Sequence, residues 1–150
     1  MAATAGDLKF QYQTEVVLEG SGGSAASNAF VAADDTSLAA ANHWDFPMAD
    51  FAMTCDFGAA VAPGTYVNLY RQDFDITAGG ADAPAPATTY KNIFVGQFML
   101  PSGQSASATY PCPDVPLSRT CKFFIENGTA QNLSAGWLLK ATPKTFAPVP

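Results

Sequence analysis

Residues 119–140 read R-T-C-K-F-F-I-E-N-G-T-A-Q-N-L-S-A-G-W-L-L-K. Cys121, Phe123 and Ile125 alternate with Lys122, Phe124 and Glu126. A period of two places the two sets on opposite faces of a β-strand. Asn127-Gly128 follows at once, and both residue types tolerate the positive φ that tight turns need. Trp137, Leu138 and Leu139 form a second apolar run, with Pro143 as its expected stop. The stretch therefore predicts two antiparallel strands joined by a short polar excursion.

Outward from this stretch the same pattern recurs. Phe51, Met53, Cys55 and Phe57 alternate with Asp50, Ala52, Thr54 and Asp56, as in a sheet with one wet face. Thr65–Asp73 sets Val67 and Leu69 against Tyr66, Asn68 and Tyr70. Asn92–Leu100 is apolar on both faces and predicts a central strand, with Gly96 marking a bulge or a close backbone approach. Gln13–Glu19 and Asn28–Ala33 read as further strands, and Gln104–Tyr110 as a polar edge strand. Pro111, Pro113 and Pro116 read as a rigid connection. Gly20–Ser27 is a flexible loop by composition; no Lys-Ser or Lys-Thr follows it to make a phosphate cradle. Thr77–Thr89 is the longest loop, and its length marks it as functional or mobile. Leu38–Ala41 is at most a single helical turn. About eight short strands without a convincing helix predict an all-β chain, an antiparallel two-sheet β-sandwich of jelly-roll or immunoglobulin-like topology.

A chain of 150 residues suits one domain. Its expected parts are an N-terminal arm (1–12), the sandwich (13–143) and a Pro-rich, extended tail (144–150). Only 13% of residues are charged, about half the usual share. That low density, with many Ala, Gly and Pro residues, fits a subunit whose surface is covered in an assembly. The net charge of −6 with scattered Lys and Arg disfavours nucleic acid, whose binding depends on neutralising phosphates. The opening M-A-A-T-A-G-D-L-K has no basic and apolar leader pattern, and no apolar run approaches the ~20 residues that cross a bilayer. Cys55, Cys112 and Cys121 cannot all pair within one chain, so buried free thiols are expected; a Cys112–Cys121 disulfide remains open.

Chemistry-bearing patterns are sparse. His43 is the single histidine, next to Trp44 in a loop, so any Ser-His-Asp or Cys-His site would have to use it. Asp73-x-Asp75 has ligand-like spacing, but the further oxygens and terminal Glu of a calcium loop are missing. The cysteine spacings do not resemble zinc ligand pairs. Asn127-Gly-Thr129 and Asn132-Leu-Ser134 match the glycosylation triplet and read as turn chemistry. No cofactor, metal or catalytic residue is expected.

Several segments taken together resemble small structural proteins encoded in the virion gene clusters of tailed bacteriophages. They are Trp44–Met48 (W-D-F-P-M), Val67–Tyr70 (V-N-L-Y), Phe94–Phe98 (F-V-G-Q-F), Asp114–Leu117 (D-V-P-L), Phe123–Asn127 (F-F-I-E-N) and Leu133–Trp137 (L-S-A-G-W). The resemblance implies a non-enzymatic, all-β virion component, a capsid decoration (cement) or minor capsid protein made in the bacterial cytoplasm. Its partners would be the major capsid protein, itself, or both; a trimer would suit a three-fold lattice site. The contact residues expected on such a sandwich lie in its terminus and loops: Leu8, Phe10, Tyr12, Gly22, Gly79, Pro84 and Pro86. The alternative is a receptor- or glycan-binding module of a fibre, stacking sugars on Tyr66, Tyr70 and Tyr90.

Overall fold

A computed structural model of the chain describes residues 8–33, 46–74, 81–91, 93–118 and 120–148. Among them are nine β-strands and no helix: β1 (Leu8–Tyr12), β2 (Val16–Gly22), β3 (Phe30–Ala32), β4 (Met48–Cys55), β5 (Tyr66–Asp73), β6 (Phe94–Met99), β7 (Ala108–Pro116), β8 (Cys121–Asn127) and β9 (Trp137–Pro148). All pairings between them are antiparallel. One sheet runs β1-β9-β4-β7, with β2 also on β9; the other runs β3-β8-β5-β6. The chain is a two-sheet β-sandwich, as the alternating apolar pattern requires.

The core is the pair of inward faces. Leu18, Phe51, Met53, Val115, Trp137 and Leu139 come from the larger sheet, and Val67, Leu69, Phe98, Phe123 and Ile125 from the smaller. Phe51 meets Phe123 edge-on across the interior, ring centroids 4.8 Å apart. The sheets approach each other along β6 and β7, where a Cβ on Gly96 would fall 2.3 Å from Cys112 Sγ. Both expected roles of Gly96 are met, since the β5–β6 register also shifts beside it.

Four expectations are corrected. β8 and β9 do not pair with each other: they lie in opposite sheets, so the 128–136 segment crosses the sandwich instead of closing a hairpin. Two strands with one apolar face each bury more by stacking face to face than by lying edge to edge. β6 is an edge strand, not a central one, and only one of its faces is covered: Phe98 and Leu100 are buried, whereas Phe94 and Met99 are exposed. Pro111, Pro113 and Pro116 are not a connection but part of β7, on the far edge of the larger sheet, where a missing N–H costs nothing. Their rings are exposed while Tyr110, Cys112 and Val115 point inward. Finally, β9 does not stop at Pro143 but runs through it. Pro143 lies where the outer neighbour of β9 changes from β2 to β1, so its absent donor falls at a gap in the ladder.

The crossover after β8 is held by one side chain. Asn127 is fully buried. Its Nδ2 donates to Ala25 O (3.0 Å) and Gln131 O (2.8 Å). Its Oδ1 accepts from Thr129 N (3.1 Å) and Thr129 Oγ1 (2.8 Å). The Asn-Gly-Thr triplet is thus a structural knot, and its Asn has no free amide. Gly128 is required there, because a Cβ would fall 2.5 Å from the Tyr66 ring.

The Gly20–Ser27 segment is also committed internally. Gly22 ends β2 flat against the Trp137 indole, where a Cβ would come within 2.0 Å of the ring. Trp137 Nε1 donates to Gly23 O at 2.8 Å, and Ala25 bridges to Leu133.

These contacts set two expected outcomes in chemical denaturation. Asn127→Ala leaves buried groups on two loops without partners and should cost about 3 kcal/mol. Gly22→Ala drives a methyl into an immobile Trp137 and should cost about 2 kcal/mol or more. Wild-type midpoints in both variants would show that neither contact holds the crossover.

Candidate functional site

The expected contact residues separate sharply. Gly22 is buried under Trp137. Gly79 lies outside the described residues, as do His43, Trp44 and Asp75. Pro84 is exposed, whereas Pro86 is buried within the 81–91 segment. That segment lies on the smaller sheet: Gln72 Nε2 donates to Ala83 O at 2.8 Å and Asp82 N to Asp73 O at 2.8 Å. Leu8, Phe10 and Tyr12 come together on one face of β1 and are exposed by 68%, 43% and 53%.

β1 is not a free arm, because it pairs along its length with the C-terminal half of β9, Leu8 opposite Pro148 and Tyr12 opposite Lys144. On its other side β9 pairs with β4 only as far as Lys144, opposite Met48. Just before Met48, the Pro47 carbonyl accepts from Leu117 N at 2.9 Å, on the β7 side of β4. Among the described residues, Leu8–Gln11 and Thr145–Pro148 therefore form a two-stranded ribbon that continues beyond the body of the sheet. Every residue of β1 is exposed. Phe146, itself 53% exposed, stacks on Phe10 with ring centroids 4.5 Å apart.

A buried cation fastens the root of the ribbon. Lys144 is 3% exposed, and its Nζ reaches Asp50 Oδ1 at 2.5 Å and Asp114 Oδ1 at 2.7 Å. The same ammonium lies 4.9 Å from the Phe10 ring centroid and 6.0 Å from that of Tyr12. Asp114 adopts φ 59° in the irregular part of β7 and donates its N–H to Asp50 Oδ1 at 3.0 Å. One ammonium thus ties β9 to β4, β7 and the aromatic face of β1. Burial alone would push Asp50 up, but the Lys144 and Asp114 hydrogen bonds bring it below the usual aspartate value. Burial would lower Lys144, but the two carboxylates carry it above the usual lysine value.

The outer face of the smaller sheet holds a second buried charge. Glu126 accepts from Asn68 Nδ2 (2.9 Å), Tyr70 Oη (2.8 Å) and Lys91 Nζ. Gln97 Nε2 donates to Asn68 Oδ1 at 2.9 Å. Burial opposes the charge on Glu126, and the three donors outweigh it, so its pKa is lowered. Tyr70 packs between Phe30 and Phe94 and is only 3% exposed; burial and its bond to Glu126 raise its pKa. The cluster pins the 81–91 segment through Lys91. With Tyr70 buried, the expected sugar-stacking face loses its middle residue.

The three thiols are free and buried. Burial pushes Cys55 up to about 12 and Cys121 to about 11, so both are protonated and poor nucleophiles at neutral pH. Among the described residues no three His, Cys, Asp or Glu side chains converge on a metal position. No helix there is long and apolar enough to cross a membrane.

The sequence reading missed Lys144 and Phe146. Both belong to the alternation Lys140, Thr142, Lys144, Phe146, which the expected stop at Pro143 concealed. No protein-family model, curated protein or solved structure matches the chain.

Lys144→Met keeps the stem but removes the charge. Because Asp50 and Asp114 are partly solvated, the loss should be about 2 kcal/mol and not the full penalty of a deeply buried pair. The advantage of wild type over the variant should be full at neutral pH. It should fade in acid as pH falls through the depressed pKa of Asp50, and in alkali as pH rises through the raised pKa of Lys144. A pH-independent difference in unfolding free energy would show that packing, not charge, carries the effect.

Proposed function

We propose that this protein is a non-enzymatic structural subunit that docks on a larger protein assembly through the aromatic face of the β1–β9 ribbon. One observation carries the reading. A well-packed sandwich extends a two-stranded ribbon whose outer face bears Leu8, Phe10, Tyr12 and Phe146 in solvent. An isolated two-stranded ribbon is marginal in water, and clustered exposed aromatics mark interaction sites. Lys144 holds the root of this ribbon in place, so part of the ordering cost of binding is met before the partner arrives.

The assembly is, on the sequence resemblance alone, the head of a tailed bacteriophage, with the chain as a decoration (cement) protein. The partner is then the major capsid protein. Bridging neighbouring capsomers adds association free energy where the shell is strained, and repeated contacts act as intramolecular ones. The glycan-binding alternative gains nothing comparable, because Tyr70 is spent on Glu126.

Peptide mass spectrometry of gradient-purified particles tests the virion reading. The chain should be present at a fixed ratio to the shell protein, and its absence from particles would sink that reading. Rebinding to heads stripped of the chain tests the ribbon. Wild type should saturate, and the double variant Phe10→Ser, Phe146→Ser should bind at least tenfold more weakly, the scale of one interface hot spot. Undiminished rebinding would move the docking site off the ribbon.

A further inference from the structure

The face of the ribbon carries the docking reading; its backbone edge is a separate surface. We propose that this edge pairs with a second copy of the chain: two β1 strands align antiparallel about a two-fold axis at Phe10 and merge the two larger sheets into one. The proposal uses the same ribbon as the docking reading but different atoms, so either can fail alone.

The hydrogen-bond parity of β1 is set by one bond. Gln13 N donates to Pro143 O at 2.8 Å, in register with the β1–β9 ladder. Bonds in an antiparallel ladder alternate in direction, so Gln11 and Lys9 also address β9. The N–H and C=O groups of Leu8, Phe10 and Tyr12 therefore point away from it. Among the described residues no strand pairs with that side of β1.

The other edges differ from this one: β2, on the same side of β9, is broken by two register shifts between Val17 and Gly22. β7 carries Pro111, Pro113, Pro116 and the left-handed Asp114, the devices that stop strand addition. β3 is three residues long. β6 packs beside β7 at Gly96 and Cys112. β1 has no proline and a single charge, Lys9.

The edge is also self-complementary. With Phe10 opposite Phe10 of the second copy, Leu8 faces Tyr12 and Tyr12 faces Leu8. All three positions have outward N–H and C=O groups, so each is a hydrogen-bonded pair that exchanges both of its bonds. Lys9 then faces Gln11. A shift of the axis to Lys9 would set Lys9 against Lys9, a like-charge pair, and a shift to Gln11 would leave Leu8 without a partner in the strand. Side chains of paired residues share a face, so the two Phe10–Phe146 stacks join into one apolar row. The resulting interface is isologous and closed. Each copy carries a net charge of −6, so screening should strengthen the pairing as salt rises.

Sedimentation equilibrium of the full chain is the test. Wild type should form a dimer that tightens with added salt. Phe10→Pro deletes an outward donor while sparing the bonds to β9, and should give a folded monomer. Phe10→Ala keeps the donor and should still dimerise, about tenfold more weakly for the lost aromatic contact. A short bis-maleimide gives a second readout that does not depend on how Phe10→Pro folds. Phe10→Cys should cross-link between copies, since the two positions lie about 5.5 Å apart across a hydrogen-bonded pair. Tyr12→Cys should not, because its twin lies four residues along the strand. A wild-type monomer up to about millimolar concentration, or equal cross-linking at both positions, would overturn the proposal. A monomer that is nevertheless found on particles would overturn self-pairing and leave the docking reading intact.

Discussion

The sandwich depends on the Asn127 carboxamide. β8 ends in the smaller sheet and β9 begins in the larger, so the chain must cross the end of the core at this point. A crossing backbone exposes polar groups to an apolar interior, and each one left unpaired costs free energy. Asn127 answers with both donors and its acceptor: two carbonyls from separate loops, and the amide and hydroxyl of Thr129. Its backbone does the same work, since Asn28 N donates to its carbonyl at 2.7 Å and its own N–H goes to Ala29 O at 3.1 Å. One buried side chain thus closes the core, ends β8 and positions the loop leading into β3. The Trp137 indole then enters beside Gly22 as the first inward residue of β9.

Two further buried polar groups act outside the core, one on each outer face. Glu126 draws Lys91 down and fixes the 81–91 segment on the smaller sheet. Lys144 draws Asp50 and Asp114 together on the larger. Each faces opposite charge and hydrogen-bond partners, as burying a charge requires. Their consequences differ. The Glu126 cluster holds Lys91 and the buried Tyr70 against its face. The Lys144 cluster leaves its face open, because the ammonium lies over the Phe10 and Tyr12 rings yet both stay about half exposed. Among the described residues, the ribbon is therefore anchored at its root and paired with nothing along its outer edge.

Fold class was legible because alternation survives in the strands that matter most. One face of β4 is strictly apolar and the other mostly polar, and its burial alternates on the same beat. What failed was pairing. Nothing in Cys121–Asn127 or Trp137–Lys140 tells an adjacent strand from a facing one, since both arrangements need the same alternation; the difference lies in Asn127, whose turn-forming reputation hid a buried role. Proline misled twice for one reason. Pro111, Pro113 and Pro116 sit on an open edge, and Pro143 sits at a gap between two outer strands. Whether a missing donor matters depends on what lies across from it, and one sequence does not carry that neighbour. Leu8, Phe10 and Tyr12 were expected as contacts only because termini and loops carry function on a rigid sandwich; that they share one face of a strand was not legible in a stretch of mixed character with no clean period. Phe146 and Lys144 were hidden behind the misread Pro143.

The open ribbon is costly to keep unless it is used. Solvent-exposed Leu8, Phe10, Tyr12 and Phe146 gain little from one another beyond the Phe10–Phe146 stack, and a free edge invites unspecific strand addition. Among the described residues the other exposed large apolar side chains are Val17 on β2 and Phe94 and Met99 at opposite ends of β6, where Phe94 packs on Tyr70. The opposite edge shows that this chain closes an edge with prolines where pairing is unwanted. β7 carries three prolines and β1 carries none, so these two edges of the larger sheet differ chemically. That asymmetry, together with an ion cluster that fixes the root of the ribbon, is what supports the proposed docking role of β1.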